Sequence, residues 1–283
     1  MRIGLVGIDG SHAEDFLRHF NAEARHDDIR VTAIWGWQAT EERLETLTRL
    51  SPAARAAPSL DELIDAVDAV IVGDRHGDLH LPHALPCINA GKPVFVDKPL
   101  TCSLADAQAL VDAAERAGTP LLSASGLRWQ VDTAAVKARL ADAKGTTSVL
   151  AHGTWYPDSV YGGAIFYAIH TIELMQELLG TEWRDLRLDP DEPQVVRYTT
   201  GTFDAALSFQ PLAASGSSDF GVSVTSPQMQ FEQKIALPDG YMLPVVDRIA
   251  QMLRTRRAGM GQEALLAPVR MMAEIDALLR QRD

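Results

Sequence analysis

A lysine that directly follows a buried strand is the strongest chemical signal in this sequence. The apolar run Pro93–Val96 leads straight into Asp97, Lys98 and Pro99. In doubly wound sheets the carboxyl ends of the strands border the ligand crevice. A lysine there can hydrogen-bond a reacting hydroxyl and stabilise alkoxide character while a hydride leaves or arrives. Lysines also occur at strand ends as ordinary surface residues.

The first apolar run ends in a turn that resembles a dinucleotide cradle. Gly7 and Gly10 permit a tight bend and a close approach of backbone to phosphate. Ser11 and the N–H groups of the helix that follows can bind an anion. Relative to G-x-G-x-x-G, Asp9 replaces the second glycine and His12 the third. The Asp9 carboxylate would repel a pyrophosphate unless it points away, and a generic turn is the alternative.

The second predicted strand lacks the usual ribose-binding acid. It ends in Trp35-Gly36-Trp37-Gln38, and the first acid after it is Glu41. In NAD enzymes an acid at this place binds the adenosine ribose, and an arginine accommodates the 2′-phosphate of NADP. Neither stands at the strand end, so the sequence predicts NAD or NADP without a preference. We expect Trp35 in the core, whereas Trp37 either lies in the core or flanks an adenine.

Three histidines and two aspartates fall within the ten residues DRHGDLHLPH that begin at Asp74. On a helix, His76 and His80 would share a face, which is the i, i+4 geometry that zinc can use. Gly77 beside His76 at a strand exit argues against a regular helix, so we predict no metal. Asp74 and His76 leave the same sheet edge as Lys98, where they can line a binding cleft.

Strand and helix patterns alternate through residues 1–124. Apolar strand-like runs cover residues 2–8, 29–35, 69–72, 93–96 and 121–124. Helical patterns begin at Ser11 (in a capping box with Glu14), Thr40, Ser59, Leu79 and Leu104. Strands separated by helices of this length imply βαβ units. We therefore predict an α/β domain over residues 1–124 with a Rossmann-type, doubly wound parallel sheet.

The pattern changes after Arg128. Strand-like segments cover residues 146–155, 194–199, 202–209, 220–225 and 228–237, with helices at 165–179, 243–257 and 263–281 and a loop at 213–218. Consecutive strands joined by turn residues indicate antiparallel pairing. We therefore predict that residues 125–283 form an α+β domain with a mostly antiparallel sheet, which serves substrate binding and oligomerisation.

The composition excludes several classes of protein. A formal net charge of -12 argues against nucleic acid as a partner, because phosphate backbones require clustered Lys and Arg. No apolar window reaches the length of a membrane span, and the start of the chain lacks a signal peptide. Two cysteines, Cys87 and Cys102, are too few for a disulfide scaffold. We therefore expect a cytoplasmic protein with a small-molecule substrate.

Several of these motifs together resemble the Gfo/Idh/MocA (glucose–fructose oxidoreductase / inositol dehydrogenase) family. Asp97-Lys98-Pro99, after Ala90-Gly91-Lys92, is similar to its Glu-Lys-Pro signature. Further similarities follow along the chain: Ser59–Leu63, His80 ten residues before Ala90, Gly162-Gly163-Ala164, His170, and Leu179-Gly180. The resemblance implies an NAD(P)-dependent oxidoreductase, usually homo-oligomeric, that acts on a hydroxyl or keto group of a sugar, cyclitol or related polyol.

The resemblance also implies roles for single residues. Lys98 matches the lysine that positions the substrate hydroxyl, and His170 matches a histidine that works with an aspartate four residues earlier. Here that earlier position is Phe166, and Glu173 stands three residues after His170 where Asp is common. A histidine without a carboxylate can still be a general base. Something else must then select its tautomer, and Tyr156, Tyr161 and Tyr167 lie nearby in sequence.

The sequence thus predicts a set of site residues. The catalytic residues are Lys98 and His170. The cofactor-binding residues are Gly7, Asp9, Gly10, Ser11, His12, Trp37, Asp74, Arg75, His76, His80, Asp97 and Pro99. The substrate-binding residues are Arg128, Tyr156 and Tyr167. One alternative is a nucleotide- and sugar-binding regulator of the same fold without hydride transfer. The other is a metal-dependent lyase or hydrolase that uses the cluster from Asp74 to His83.

Overall fold

The fold is known from a computed structural model that describes residues 1–192, 194–212 and 218–281. Most of the predicted loop at 213–218 lies outside the described residues. Residues 1–124 alternate between strands and helices. In chain order these are β1 (Arg2–Val6), α1 (His12–Leu17), β2 (Arg30–Trp35), α2 (Glu41–Leu50), β3 (Arg55–Ala56), α3 (Leu60–Ala66), β4 (Ala69–Val72), α4 (His80–Asn89), β5 (Val94–Val96), α5 (Leu104–Ala117) and β6 (Leu121–Ser123).

The remaining elements are richer in strands. They are α6 (Val131–Leu140), β7 (Thr147–Trp155), α7 (Ile165–Leu179), β8 (Arg184–Leu188), β9 (Val195–Thr200), β10 (Phe203–Pro211), β11 (Gly221–Thr225), β12 (Gln230–Lys234), α8 (Leu243–Thr255) and α9 (Gln262–Arg280). A π-helical turn, Arg18–Ala22, continues α1, and short 3₁₀ turns cover Gly77–Leu79 and Gly126–Trp129.

The first sheet has six parallel strands in the order β3-β2-β1-β4-β5-β6. This is the strand order of a Rossmann fold, and it confirms the predicted doubly wound sheet. All residues of β4, β5 and β6 are buried, as expected for parallel strands covered on both faces. Phe16 of α1 packs edge-on against Phe95 of β5 with ring centroids 5.9 Å apart, which fixes that helix on the sheet.

Side-chain caps explain where several helices begin. The side chains of Thr40, Ser59 and Ser103 accept a hydrogen bond from a backbone N–H of the first turn. The predicted capping box at the start of α1 is wrong, because Ser11 makes no side-chain cap. Its intended partner Glu14 instead forms an ion pair with a side chain of α2.

The second sheet has the order β12-β11-β7-β10-β9-β8. All its pairs are antiparallel except β7 with β10, so the prediction of a mostly antiparallel sheet is confirmed. Helix α7 lies close to β7 at Gly153, where a Cβ would fall 1.9 Å from Thr171 Oγ1. A glycine there is required for this close packing of helix on sheet.

The chain forms two compact units. The first contains residues 1–124 together with 242–265, and the second contains residues 125–241 and the chain from Leu266 onward. This grouping differs from the predicted division in the place of α8, which two ion pairs attach to the first unit. Arg25 contacts Asp247 at 2.7 Å, and Arg254 pairs with Asp28. None of the helices within the described residues has the length and apolar character needed to cross a membrane.

Candidate functional site

The exits of three neighbouring strands form one edge of the first sheet. Strand β4 lies between β1 and β5, and backbone hydrogen bonds continue past the strand ends. Gly73 N donates to Val6 O at 2.7 Å, and Asp97 N donates to Val72 O at 2.8 Å. The residues predicted from the turn after β1, the loop after β4 and the Asp97-Lys98 segment therefore share the carboxyl edge, where ligands of such sheets bind.

Gly7 permits the close approach between the first two of these loops. Its φ of +75° lies in the left-handed region, and an added Cβ would fall 2.2 Å from Asp74 N. Both the backbone conformation and the space therefore require glycine. Gly10 differs, because the nearest atom to an added Cβ is Gly73 O at 3.8 Å. A methyl group at Gly10 would therefore make only an ordinary van der Waals contact.

Asp9 is directed toward the loop after β4. Its Oδ1 accepts a hydrogen bond from Arg75 N at 3.1 Å, although the side chain is exposed. The carboxylate thus has a partner within the protein, and its place beside a bound pyrophosphate stays a prediction. Ser11 is exposed beside it at the start of α1.

Arg43 of α2 holds the turn after β1 through hydrogen bonds to its carbonyl groups, and it is not among the residues predicted from the sequence. Its guanidinium donates to Ile8 O at 2.5 Å and Gly10 O at 2.8 Å, and it pairs with both carboxylate oxygens of Glu14. The fixed fork of an arginine can serve two carbonyls and a carboxylate together. A sequence signal existed, since Arg43 lies in the first turn of the helix after β2.

His12 and Asp97 connect the first and third loops. His12 Nδ1 lies 2.7 Å from Asp97 Oδ2, and the two side chains are 15% and 9% exposed. Burial alone would raise the pKa of Asp97. The charge and hydrogen bond of His12, together with the charges of Lys98 and His80, outweigh it and hold this pKa well below its ordinary value. Asp97 is therefore a buried carboxylate that stays ionised.

Lys98 follows Asp97 at the same edge and is only 8% exposed. A lysine is rarely this buried unless it is paired, and its ammonium contributes to the low pKa of Asp97. The Lys98–Pro99 peptide is cis, and Pro99 is buried. This position differs from that of an ordinary surface lysine at a strand end.

Two histidines of α4 stabilise these loops. His80 is fully buried, with Nδ1 2.8 Å from Pro99 O and Nε2 2.8 Å from Asp74 O. Carbonyl oxygens only accept hydrogen bonds, so a ring nitrogen that carries a proton donates to the carbonyl beside it. His83 Nδ1 lies 2.8 Å from Asp74 Oδ2, and both side chains are buried. The structure therefore uses His80 and Asp74 to join the exits of β4 and β5, while their predicted contact with a cofactor stays a prediction.

The group of side chains that could hold a metal differs from the one considered from the sequence. Within the described parts of the chain, one group of His, Cys or acidic residues brings ligand atoms within 4.8 Å of one another: His76, Asp78 and Cys102. His80 is not in this group, so the i, i+4 pair considered from the sequence does not form. His76 Nδ1 already accepts a hydrogen bond from Asp78 N at 3.2 Å. Burial and the charge of Asp78 raise the pKa of the Cys102 thiol to about 12.

Three aromatic residues from the predictions lie near the surface. Trp37 is 60% exposed, so of its two predicted places the core is excluded. Tyr156 is 41% exposed in the turn after β7. Tyr167 is half-buried on α7 and meets the Phe166 ring edge-on at 4.9 Å. A role of Trp37 beside an adenine and of the tyrosines beside a substrate stays a prediction.

The second unit contains His170 and a partner that the sequence did not indicate. His170 Nδ1 lies 2.7 Å from Ser125 Oγ. Among the three tyrosines considered near His170, none is its partner in this contact, because the neighbour comes from a turn 45 residues earlier. Ser125 follows β6 by two residues, so its place just after a strand was the signal that could have found it.

Arg128 lies beside this pair but is turned inward. Its side chain is 3% exposed, and Nε donates to Glu173 Oε2 at 2.6 Å. Glu177 lies 3.5 Å from another guanidinium nitrogen. The guanidinium therefore links the turn after β6 to α7, and the substrate-binding role of Arg128 stays a prediction.

In the first unit, the glycine turn after β1 fits a dinucleotide, whereas the end of β2 differs from the usual dinucleotide-binding pattern. The close approach at Gly7 and the absence of a close neighbour beside Gly10 match a cradle that a side chain would fill. His12 occupies the place of the third glycine, and the end of β2 offers Gly36, Trp37 and Gln38 to a ribose. The turn after β1 thus leaves room for a phosphate, whereas the end of β2 lacks the acid or arginine that usually recognises the ribose.

Comparisons with known proteins agree with this geometry. Residues 1–124 match the GFO_IDH_MocA model, described as an oxidoreductase family with an NAD-binding Rossmann fold. The chain is 32% identical over 102 residues to scyllo-inositol 2-dehydrogenase (NADP(+)) IolW of Bacillus subtilis, covering 35% of this chain and 28% of that protein. It is 32% identical over 192 residues to inositol 2-dehydrogenase 3 of Saccharopolyspora erythraea, covering 64% of this chain and 54% of that one. These matches span about half of the relatives' length or less.

The fold likeness extends further. The crystal structure of GenD2 from gentamicin A biosynthesis, in complex with NAD, matches with a TM-score of 0.82 and 18% identity. The match covers 100% of this chain and 95% of that one, which shows a common fold over both units. Residues 1–124, whose strands follow the Rossmann order, are thus similar to the NAD-binding Rossmann domain of the Gfo/Idh/MocA oxidoreductase family.

Proposed function

We propose that this protein is an NAD(P)-dependent oxidoreductase. It transfers a hydride between the nicotinamide and a hydroxyl or keto group of a sugar, cyclitol or related small polyol. The observation that carries the proposal is the buried Lys98 beside an ionised Asp97, at the carboxyl edge of a Rossmann-ordered sheet. The inositol dehydrogenases among the relatives support the substrate class.

The cofactor would lie along the loops after β1, β4 and β5. The backbone around Gly7 and Gly10 would hold the pyrophosphate, and Arg43 would keep that turn in shape. The Asp9 carboxylate, bonded to Arg75 N, would stay directed toward the loop after β4. When bound, the nicotinamide supplies the hydride chemistry. The chain's own contribution is to orient the reacting groups and to move a proton.

Lys98 would stabilise charge on the substrate oxygen. Its ammonium donates a hydrogen bond to the reacting hydroxyl, so alkoxide character is favoured as the hydride leaves. The neighbouring Asp97 carboxylate, itself paired with His12, offsets the cost of keeping this ammonium buried. We also propose that His170 is the general base that takes the hydroxyl proton, because of its position in α7.

The direct test is binding and turnover of nicotinamide nucleotides. We expect tryptophan fluorescence and melting temperature to respond to NAD(H) or NADP(H), and a panel of inositols and sugars to show nucleotide reduction at 340 nm. The absence of any response to all four nucleotides would refute the oxidoreductase proposal. Nucleotide binding without turnover of any polyol would favour the regulator alternative, which Phe166 in place of an aspartate supports.

The family likeness also leads us to propose a homo-oligomer in the cytoplasm. Light scattering after size exclusion measures the mass directly, and a value near 30.8 kDa would contradict the oligomer.

A further inference from the structure

Helix α7 presents two polar side chains to the turn that follows β6. His170 and Glu173 stand three residues apart, so both lie on one face of the helix. His170 Nδ1 lies 2.7 Å from Ser125 Oγ, and Glu173 Oε2 accepts from Ser125 N at 2.8 Å. One serine therefore contacts the helix twice, through its side chain and through its backbone.

Ser125 is held in place from several directions. It is fully buried, and its Oγ accepts a hydrogen bond from Leu127 N at 3.2 Å. The carboxylate that accepts from its backbone is itself paired with Arg128 at 2.6 Å. Because these anchors do not involve the imidazole, the hydroxyl is positioned independently of His170.

The serine hydroxyl has one donor and two acceptor lone pairs. Leu127 N uses one lone pair, so the second can accept a proton carried on Nδ1 of His170. Phe166, one helical turn before His170, has an apolar ring that offers no such acceptor. The ring centroids of Phe220 and His170 lie 5.7 Å apart, so Phe220 limits how the imidazole can turn.

We propose that Ser125 is a positioning residue that accepts the Nδ1–H of His170, so that Nε2 is the nitrogen that exchanges a proton with the substrate. The proposal rests on the proposed function, because it requires His170 to be a general base. During oxidation the substrate's hydroxyl proton passes to Nε2, and the hydride on the same carbon passes to NAD(P)⁺. The carbon becomes a carbonyl, and the Nδ1–H bond to Ser125 is the same before and after the transfer.

This assignment makes a prediction that needs no substrate. A neutral histidine side chain in water favours the tautomer with the proton on Nε2, whereas Ser125 would select the proton on Nδ1. Nitrogen-15 NMR of labelled full-length protein separates the two tautomers, and the His170→Gln variant identifies the signal. We expect the Nδ1–H tautomer in the wild type and its loss in Ser125→Ala.

Two further variants keep the test specific. Ser125→Ala retains the backbone bond to Glu173, so the turn keeps its attachment to α7. Ser125→Thr retains the hydroxyl in an extended backbone and should restore the tautomer. Thr133→Val is the matched control, since it removes a buried hydroxyl that donates to Leu127 O at 2.6 Å in the same turn. It should leave the His170 tautomer unchanged.

Steady-state kinetics of the same variants test whether this contact affects catalysis. Ser125→Ala should lower kcat by about tenfold or more with little change in KM, and should shift the pH at which kcat rises. An Nε2–H tautomer in the wild type, or a tautomer unaffected by Ser125→Ala, would overturn the inference. If Ser125→Ala lost the Nδ1–H tautomer but neither the wild type nor any variant showed turnover, the proposed function would be refuted. The contact between Ser125 and His170 would still be supported.

Discussion

His12 Nδ1 lies 2.7 Å from Asp97 Oδ2, and this contact joins the start of α1 to the exit of β5. At the position of the third glycine this protein thus has a histidine, whose side chain contacts Asp97. Because Asp97 precedes Lys98, the pair connects the predicted phosphate cradle to the predicted catalytic lysine.

The first prediction concerns Asp97. Asp97→Asn should lower the free energy of unfolding at pH 7 by about 3 kcal/mol, because it leaves its buried partners without their counter-charge. The native pKa of Asp97 is held below that of an unfolded aspartate. Its ionised form therefore stabilises the fold fully above about pH 4, and this contribution is lost as the pH falls further. Urea unfolding between pH 3 and 7 measures both effects.

The exposed carboxylate of Asp65 on α3 provides the control. Asp65→Asn should keep the wild-type stability and its dependence on pH. If Asp97→Asn lost stability in acid as steeply as the wild type does, the buried pair would not be the source of that dependence.

The second prediction separates two glycines of the cradle. Gly7→Ala should destabilise the protein by about 2 kcal/mol or more, since its φ of +75° and its closeness to Asp74 exclude a side chain. Gly10→Ala should keep the melting temperature, because the methyl would make only an ordinary contact with Gly73 O, and should weaken nucleotide binding, because it would occupy the space proposed for the phosphates. Calorimetry and nucleotide titration measure the two effects. Unchanged affinity in Gly10→Ala would place the phosphates elsewhere.

The third prediction concerns catalysis at the end of β5. Lys98→Met should lower kcat by about a hundredfold or more, because the developing alkoxide loses its hydrogen-bond donor, while nucleotide affinity stays nearly the same. Stopped-flow measurement of hydride transfer and equilibrium titration test the two parts. Lys92→Met is the matched control, since Lys92 donates to Val67 O at 2.8 Å, at the start of the same strand. Equal loss of activity in both variants would argue for a general effect on the fold.

The fourth prediction compares a buried and an exposed ion pair in the second unit. Glu173→Gln should lower the free energy of unfolding by about 3 kcal/mol, because it removes the nearer and more buried of the two carboxylates that face the buried Arg128. Lys137→Ala removes the half-exposed partner of Glu177 and should cost less than about 1 kcal/mol. Urea unfolding measures both. Similar losses in the two variants would contradict the distinction drawn from burial.

Much of the fold follows from local patterns. Ala69–Val72, Leu104–Ala117 and Ile165–Leu179 have the predicted bounds, because their apolar periodicity and their terminal Ser or Gly residues are strong local signals. The elements that the sequence analysis missed are β3, α6 and β8. The two strands lie at sheet edges and are mostly exposed, and α6 buries only Thr133, Val136 and Leu140 while Val131 is exposed, so no clear apolar pattern marked these elements in the sequence.

The order of strands and helices along the chain was enough to predict which residues reach the carboxyl edge of the first sheet, because a parallel βαβ order places every strand exit on one side. It did not determine their partners. His12 meets Asp97 across 85 positions, and Ser125 meets His170 across 45. Such contacts depend on how helices pack on sheets and not on local propensity. The pairing of the predicted catalytic histidine with a serine therefore follows from the packing of the tertiary structure and could not be read from the sequence.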